Sequence, residues 1–173
     1  TALGLNVVPP TIMRPGPAGP GAVQLWIEHE GVQAAIDLVN ADDARLRPIA
    51  LFDAIVNNGD RKAGHLLPLA DGRVLGVDHG VTFAVAPKLR TVLWAWRGEP
   101  FSTAEIAVLD RGVAALDSVV DTSAGVAALR DGLSTHLDDT EIHALADRMR
   151  TLRETGRFPQ PSDEWPPLPW PLV

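Results

Sequence analysis

Three features of the sequence predict an α+β fold. A proline-broken N-terminal stretch leads into strand-like chain, two short apolar runs flank Asp71-Gly72, and helical patterns fill the second half. With 173 residues, of which 46% are hydrophobic and 21% charged, one domain with a single sizeable core is expected.

The elements follow in order. "ALGLNVVPPT" reads as the end of a helix already under way, and with no Met at Thr1 a truncated or proteolysed start is expected. Prolines 9, 10, 15, 17 and 20 forbid helix and favour extended or turn backbone, and "AVQLWIEHEG" then reads as a strand stopped by Gly31. A short helix is predicted over Val32 to Asn40 and another over Ile49 to Asn58, where Asn-Asn-Gly is a stop signal. "HLLPLADGRVLGVD" predicts a hairpin, and a two-residue turn at Asp71-Gly72 would set His65 opposite Asp78. Ser102 with Glu105 forms a capping-box pattern that opens a helix to Val120. "VAALRDGLSTHL" follows, and a third helix, "DTEIHALADRMRTLRETG", stops at Gly156. The tail "FPQPSDEWPPLPWPLV" reads as extended chain folded on its own domain, although its Trp and Pro content also resembles a ligand for a proline-recognising domain.

Composition narrows the function classes. A net charge of −7 with mixed signs offers no basic face to nucleic acid or to anionic membranes. The absence of cysteine removes disulfides and thiolate metal sites, and no apolar run reaches the length of a membrane helix. A soluble, cytoplasmic protein is expected.

Polar residues gather in "VNNGDRKAGHLLPLADGRVLGVDHG", Val56 to Gly80. The helix delivers Asn57, Asn58, Asp60 and Arg61 into a loop, and the hairpin returns Asp78 beside His65. Two carboxylates and an imidazole so placed can hold a divalent metal and orient a hydroxyl, as phosphoryl transfer requires. Asp53, one turn before Asn57, is expected to support the loop backbone and could pair with Arg61.

On "NNGDRKAGHLL" and "GVDHG" the chain resembles the atypical kinase superfamily, in its phosphatidylinositol 3- and 4-kinase-like branch, and within that an uncharacterised actinobacterial group. The resemblance implies the hinge and mainly helical large lobe of a kinase-like fold. It makes Asp60 the catalytic aspartate, Arg61 its structural companion and Asp78 the metal aspartate. His65 stands where the family carries a metal-binding Asn, and an imidazole there makes Mn²⁺ thinkable beside Mg²⁺. "VQLWIE" is similar to the strand and hinge that line the adenine pocket, so Leu25, Trp26, Ile27 and Glu28 would meet ATP. The Gly-rich loop and strand lysine of a complete kinase are not in this sequence, and Lys62 and Lys88 sit in other contexts.

The implied organisation is a small-lobe and hinge remnant over 1–30, a large lobe over 31–158 and a Pro/Trp-rich tail over 159–173. The expected function is ATP-dependent phosphoryl transfer by the intact protein, to a protein or small molecule more readily than to a lipid. A pseudokinase or scaffold is the alternative. Plainer readings stand beside these: Asp60 as a turn residue, Asp78 as a strand-end cap, His65 as a hydrogen-bonded structural histidine. His79 with Asp78 also suggests a metal-dependent phosphohydrolase, but His136 and His143, seven apart, do not complete such a site.

Overall fold

A computed structural model describes residues 3–117 and 127–173 of the chain. The fold is α+β, with five helices and two small antiparallel sheets among the described residues. Strands β1 (Thr11–Gly16) and β2 (Gly19–Gln24) pair as a ribbon, with Ile12 opposite Val23. The strand therefore ends earlier than "AVQLWIEHEG" suggested, and its partner lies within the proline-rich segment. Pro15 and Pro20 face each other near the ribbon's turn, where the missing N–H groups interrupt no wider sheet.

Helix α1 (Val32–Asn40) has the predicted limits. Helix α2 (Arg47–Val56) starts earlier than expected because Pro48 fits its first turn, and it ends where Asn57 adopts the left-handed conformation (φ 55°). Strands β3 (Leu66–Pro68) and β4 (Val74–Gly76) form the predicted hairpin, but one residue out of the expected register. The loop holds three residues, Ala70, Asp71 and Gly72, closed by the Leu69 N–H donating to the Arg73 carbonyl, with Gly72 at φ 86°. Asp71-Gly72 are thus the last two positions of a longer turn. His65 lies opposite Val77, whose N–H donates to the His65 carbonyl at 2.9 Å, not opposite Asp78.

The remaining helices are α3 (Thr103–Asp117), α4 (Ala127–Ser134) and α5 (Asp139–Thr155). The predicted reach of α3 to Val120 lies outside the described residues. Ser102 and Glu105 exchange the two capping-box hydrogen bonds at the start of α3, and Asp138 and Glu141 do so for α5. Gly156 ends α5 at φ 63°. Trp94 to Trp96 form a single 3-10 turn, with Trp96 buried.

The core joins α2, α3 and α5 through Ile49, Leu51, Ile55, Leu109, Leu116, Ile142 and Met149. Arg47 locks its edge: the guanidinium meets Glu99 and Glu105 and lies 4.7 Å from the centre of the Phe158 ring. Phe158 in turn packs on Phe101, fixing the start of the tail. Among the described residues, no helix is long and apolar enough to cross a membrane.

These contacts predict a contrast in urea denaturation. Leu109→Ala empties a fully buried position between helices and is expected to cost about 2–5 kcal/mol. Asp138→Ala removes one cap and should cost only about 1 kcal/mol. Equal losses would contradict this assignment of the core.

Candidate functional site

The site is organised from α2 outward. Asp53 lies on its inner face, fully buried, and accepts from Arg61 Nε and Nη2, each at 2.9 Å. Asn58 Nδ2 adds a third donor to the same carboxylate at 3.0 Å. The guanidinium, itself fully buried, reaches on to the carbonyls of Val77 (2.8 Å) and His65 (3.3 Å). One side chain therefore joins the helix, the loop and both ends of the hairpin. Gly76 makes room for it, since a Cβ there would stand 3.2 Å from Arg61 Nη2. Arg61 has no access to a substrate and acts by positioning its neighbours.

The two asparagines fix the loop's other side. Asn58 Oδ1 accepts the Asp60 N–H at 3.0 Å, and Asn57 Nδ2 donates to the carbonyls of Ala84 and Ala86 while its Oδ1 accepts from the Lys88 N–H. The sequence marks Asn57 and Asn58 as a helix stop and as two of the polar residues delivered into the loop, without their bracing role. The signal for more was available: two carboxamides side by side, next to a segment whose backbone makes no sheet. Arg61 bridges Thr91 in a parallel pairing, which sets the 57–61 and 88–92 segments side by side.

Asp60 is partly exposed, with Lys62 Nζ 3.3 Å from its carboxylate. The context of Lys62 in the sequence is not that of a kinase strand lysine, and nothing there ties it to Asp60. Asp78 stands at the end of the hairpin in the left-handed conformation (φ 54°), which swings its side chain back toward β3. His65 Nε2 thereby comes within 3.4 Å of Asp78 Oδ2 despite the shifted register. Burial lowers the His65 pKa, opposed by the nearby charges of Asp78 and Asp60. Its Nδ1 is buried without a hydrogen-bond partner among the described residues.

His79 points the other way. Its ring meets the edge of Phe52 at 5.2 Å, and burial depresses its pKa to about 4, helped by the charge of Arg61. Neither His136 nor His143 shares this site: His143 Nδ1 contacts the Asp139 carbonyl of its own helix. Among the described residues, no three His, Asp or Glu side chains come close enough together to hold a metal ion by themselves.

Beside the hairpin opens a cleft of about 280 Å³, lined by Leu25, Trp26, Ile27 and His29 from the segment after β2 and by Leu67 and Val77 from the hairpin. Leu25, Trp26 and Ile27 are thus gathered as a lining. Glu28 is not part of it and instead accepts from Trp26 Nε1 at 3.0 Å. Arg148, from α5, donates to the carbonyls of Ile55 and Ala84, and burial lowers its pKa to about 10.

The buried pair predicts an asymmetry in denaturation. Asp53→Ala strands the Arg61 charge and is expected to cost about 3–5 kcal/mol, whereas Asp53→Leu with Arg61→Met should recover much of the loss. A double variant as unstable as the single one would refute this. His79 predicts acid sensitivity: below about pH 6.5 the unfolded chain takes up a proton that the folded chain refuses until about pH 4. Stability should therefore fall across that window, by roughly 1–3 kcal/mol, and His79→Phe should flatten the fall as followed by urea midpoints.

No family model matches the chain. Protein Rv2133c of Mycobacterium tuberculosis (strain ATCC 25618 / H37Rv) is 37% identical to it over 206 residues, an alignment that covers 99% of this chain and 70% of the relative. Identity of that extent across nearly the whole chain places it in the same family as Rv2133c.

Proposed function

We propose that the chain is the large lobe of a kinase-like phosphotransferase that uses ATP with Mg²⁺ or Mn²⁺. The observation that carries this reading is the shared cleft: the segment expected to hold adenine and the strand that leads into Asp78 line one cavity. Leu25, Trp26 and Ile27 supply an apolar wall of the kind a planar base requires, and Val77 closes it from the hairpin. The next residue on that strand is Asp78, so a nucleotide seated against Val77 would direct its phosphates toward the carboxylate.

The donor set fits a divalent cation in part. His65 Nε2 and Asp78 Oδ2, 3.4 Å apart, are near the spacing of about 3 Å that two ligands of one octahedral ion adopt. His65 lacks the supporting acceptor on Nδ1 that ordinarily fixes a ligating imidazole, so the cation would rest mainly on Asp78 and the nucleotide. Bound there, such an ion neutralises charge on the phosphates. Asp60, its backbone N–H held by Asn58, would align the acceptor hydroxyl and receive its proton, with Lys62 steadying the carboxylate. The acceptor is a protein or a small alcohol in preference to a lipid, given the net charge of −7.

The orphaned Nδ1 of His65 also favours a second reading, a non-catalytic nucleotide-binding protein or scaffold. With Nε2–H donating toward Asp78, Nδ1 is a bare lone pair, which costs less to bury than an unpartnered N–H.

Thermal-shift titration tests the nucleotide site common to both, and autophosphorylation separates them. ATP with Mg²⁺ or Mn²⁺ should raise the melting temperature of the chain, and Asp78→Asn should abolish the rise. A chain whose melting point never responds to nucleotide would end the nucleotide reading. In the full-length protein, metal-dependent autophosphorylation should disappear in Asp60→Asn, and equal labelling of wild type and variant would leave the scaffold.

A further inference from the structure

We propose that the end of this chain, Trp165 to Val173, is a strap that holds the Asp60–His65 loop in place, which makes the tail a positioning part of the site. Its importance for phosphoryl transfer rests on the function proposed above, whereas the strap itself is a matter of hydrogen bonding.

The loop's second half is a single 3-10 turn, Ala63 to His65, and no side chain caps its start. Ala63 is buried, and its N–H is one of the donors that the start of any helical turn leaves unpaired. The Leu172 carbonyl accepts it at 2.9 Å. Two residues later His65 carries the imidazole that faces Asp78. The neighbouring segment is bound in the same way. Thr91, opposite Arg61 and equally buried, donates its N–H to the Pro167 carbonyl at 3.1 Å. Trp94 Nε1 donates to that same carbonyl at 2.9 Å, and Arg90 Nη2 to Leu168 at 3.1 Å. Lys88 Nζ sits 4.2 Å over the Trp165 ring, a cation–π contact that holds the start of the strap. At the far end Val173 lies against Gly64, where an added Cβ would stand 3.6 Å from its carbonyl carbon.

Proline explains why this segment suits the task. Each proline lacks an N–H but keeps a carbonyl, so the extended tail presents acceptors to a loop that is short of them. The strap touches Ala63, Gly64, Lys88, Arg90, Thr91 and Trp94, and none of these lines the cleft beside the hairpin. It therefore braces the loop from behind and leaves the cleft open.

Native-state amide hydrogen exchange, read by NMR on the chain as given, tests this. Deleting residues 170–173 removes the Leu172 carbonyl, and the Ala63 amide should then exchange at least about tenfold faster, as loss of one buried hydrogen bond implies, while amides in the core of α2 keep their rates. Leu172→Ala keeps the carbonyl and should retain the protection of Ala63, which separates the hydrogen bond from side-chain packing. If the deleted chain does not fold, Trp165→Ala, which frees the strap at its Lys88 anchor, should accelerate the same amide. Unchanged exchange at Ala63 in the folded deletion, or in Trp165→Ala where that variant is needed, overturns the proposal. Because this readout needs neither ATP nor metal, failure of the kinase-like reading would appear separately, as a missing nucleotide response in the undeleted chain.

Discussion

Desolvating Asp53 and Arg61 together is the constraint on which the loop and hairpin depend. Each charge alone would be intolerable inside the core, so the helix that carries one and the loop that carries the other must meet in a single geometry. The guanidinium has five donors, and its fork satisfies the carboxylate on one side and two carbonyls of the hairpin on the other. Replacing this arginine by lysine would keep the charge and lose the geometry, because an ammonium cannot span those partners in one plane. Arg61 is wholly used by the scaffold, whereas the carboxylates of Asp60 and Asp78 reach the surface beside Lys62 and His65.

Around that pair the site is held mainly by backbone carbonyls and carboxamides. Asn57 grips the 84–88 segment, Asn58 grips both Asp53 and the Asp60 amide, and Arg148 ties the end of α2 to Ala84. Segments with almost no regular structure are thereby given fixed positions. Order is thereby concentrated around Asp60 and the hairpin, and the β1–β2 ribbon, exposed along its length, has little to restrain it.

The helices were legible because their signals are local. Period marks α1, period with caps marks α3 and α5, and Gly156 and the Ser102–Glu105 pair do what such residues do anywhere. The hairpin was legible in kind but not in register: Asp-Gly occurs both as a complete two-residue turn and as the end of a three-residue one, and only the backbone decides. Residue type, spacing and resemblance singled out Asp60, His65 and Asp78, of which the structure sets His65 beside Asp78, and the suspected support of Arg61 by Asp53 is the bond the structure contains. The strap was not legible in its contacts. Its acceptors are main-chain carbonyls, which every sequence possesses, and their targets lie some 75 to 110 positions away along the chain. The bond from Trp26 to the Glu28 side chain is likewise a contact that no sequence pattern marks.

The left-handed backbone at Asp78 constrains descent as well as chemistry. A β-branched or bulky residue would be strained at φ 54°, whereas Asn and Gly adopt that conformation readily. The substitutions that preserve the bend are therefore those that discard the negative charge without disturbing the fold. Relatives that keep this architecture can lose this carboxylate by one mild replacement and remain well folded, so the backbone by itself does nothing to retain the charge.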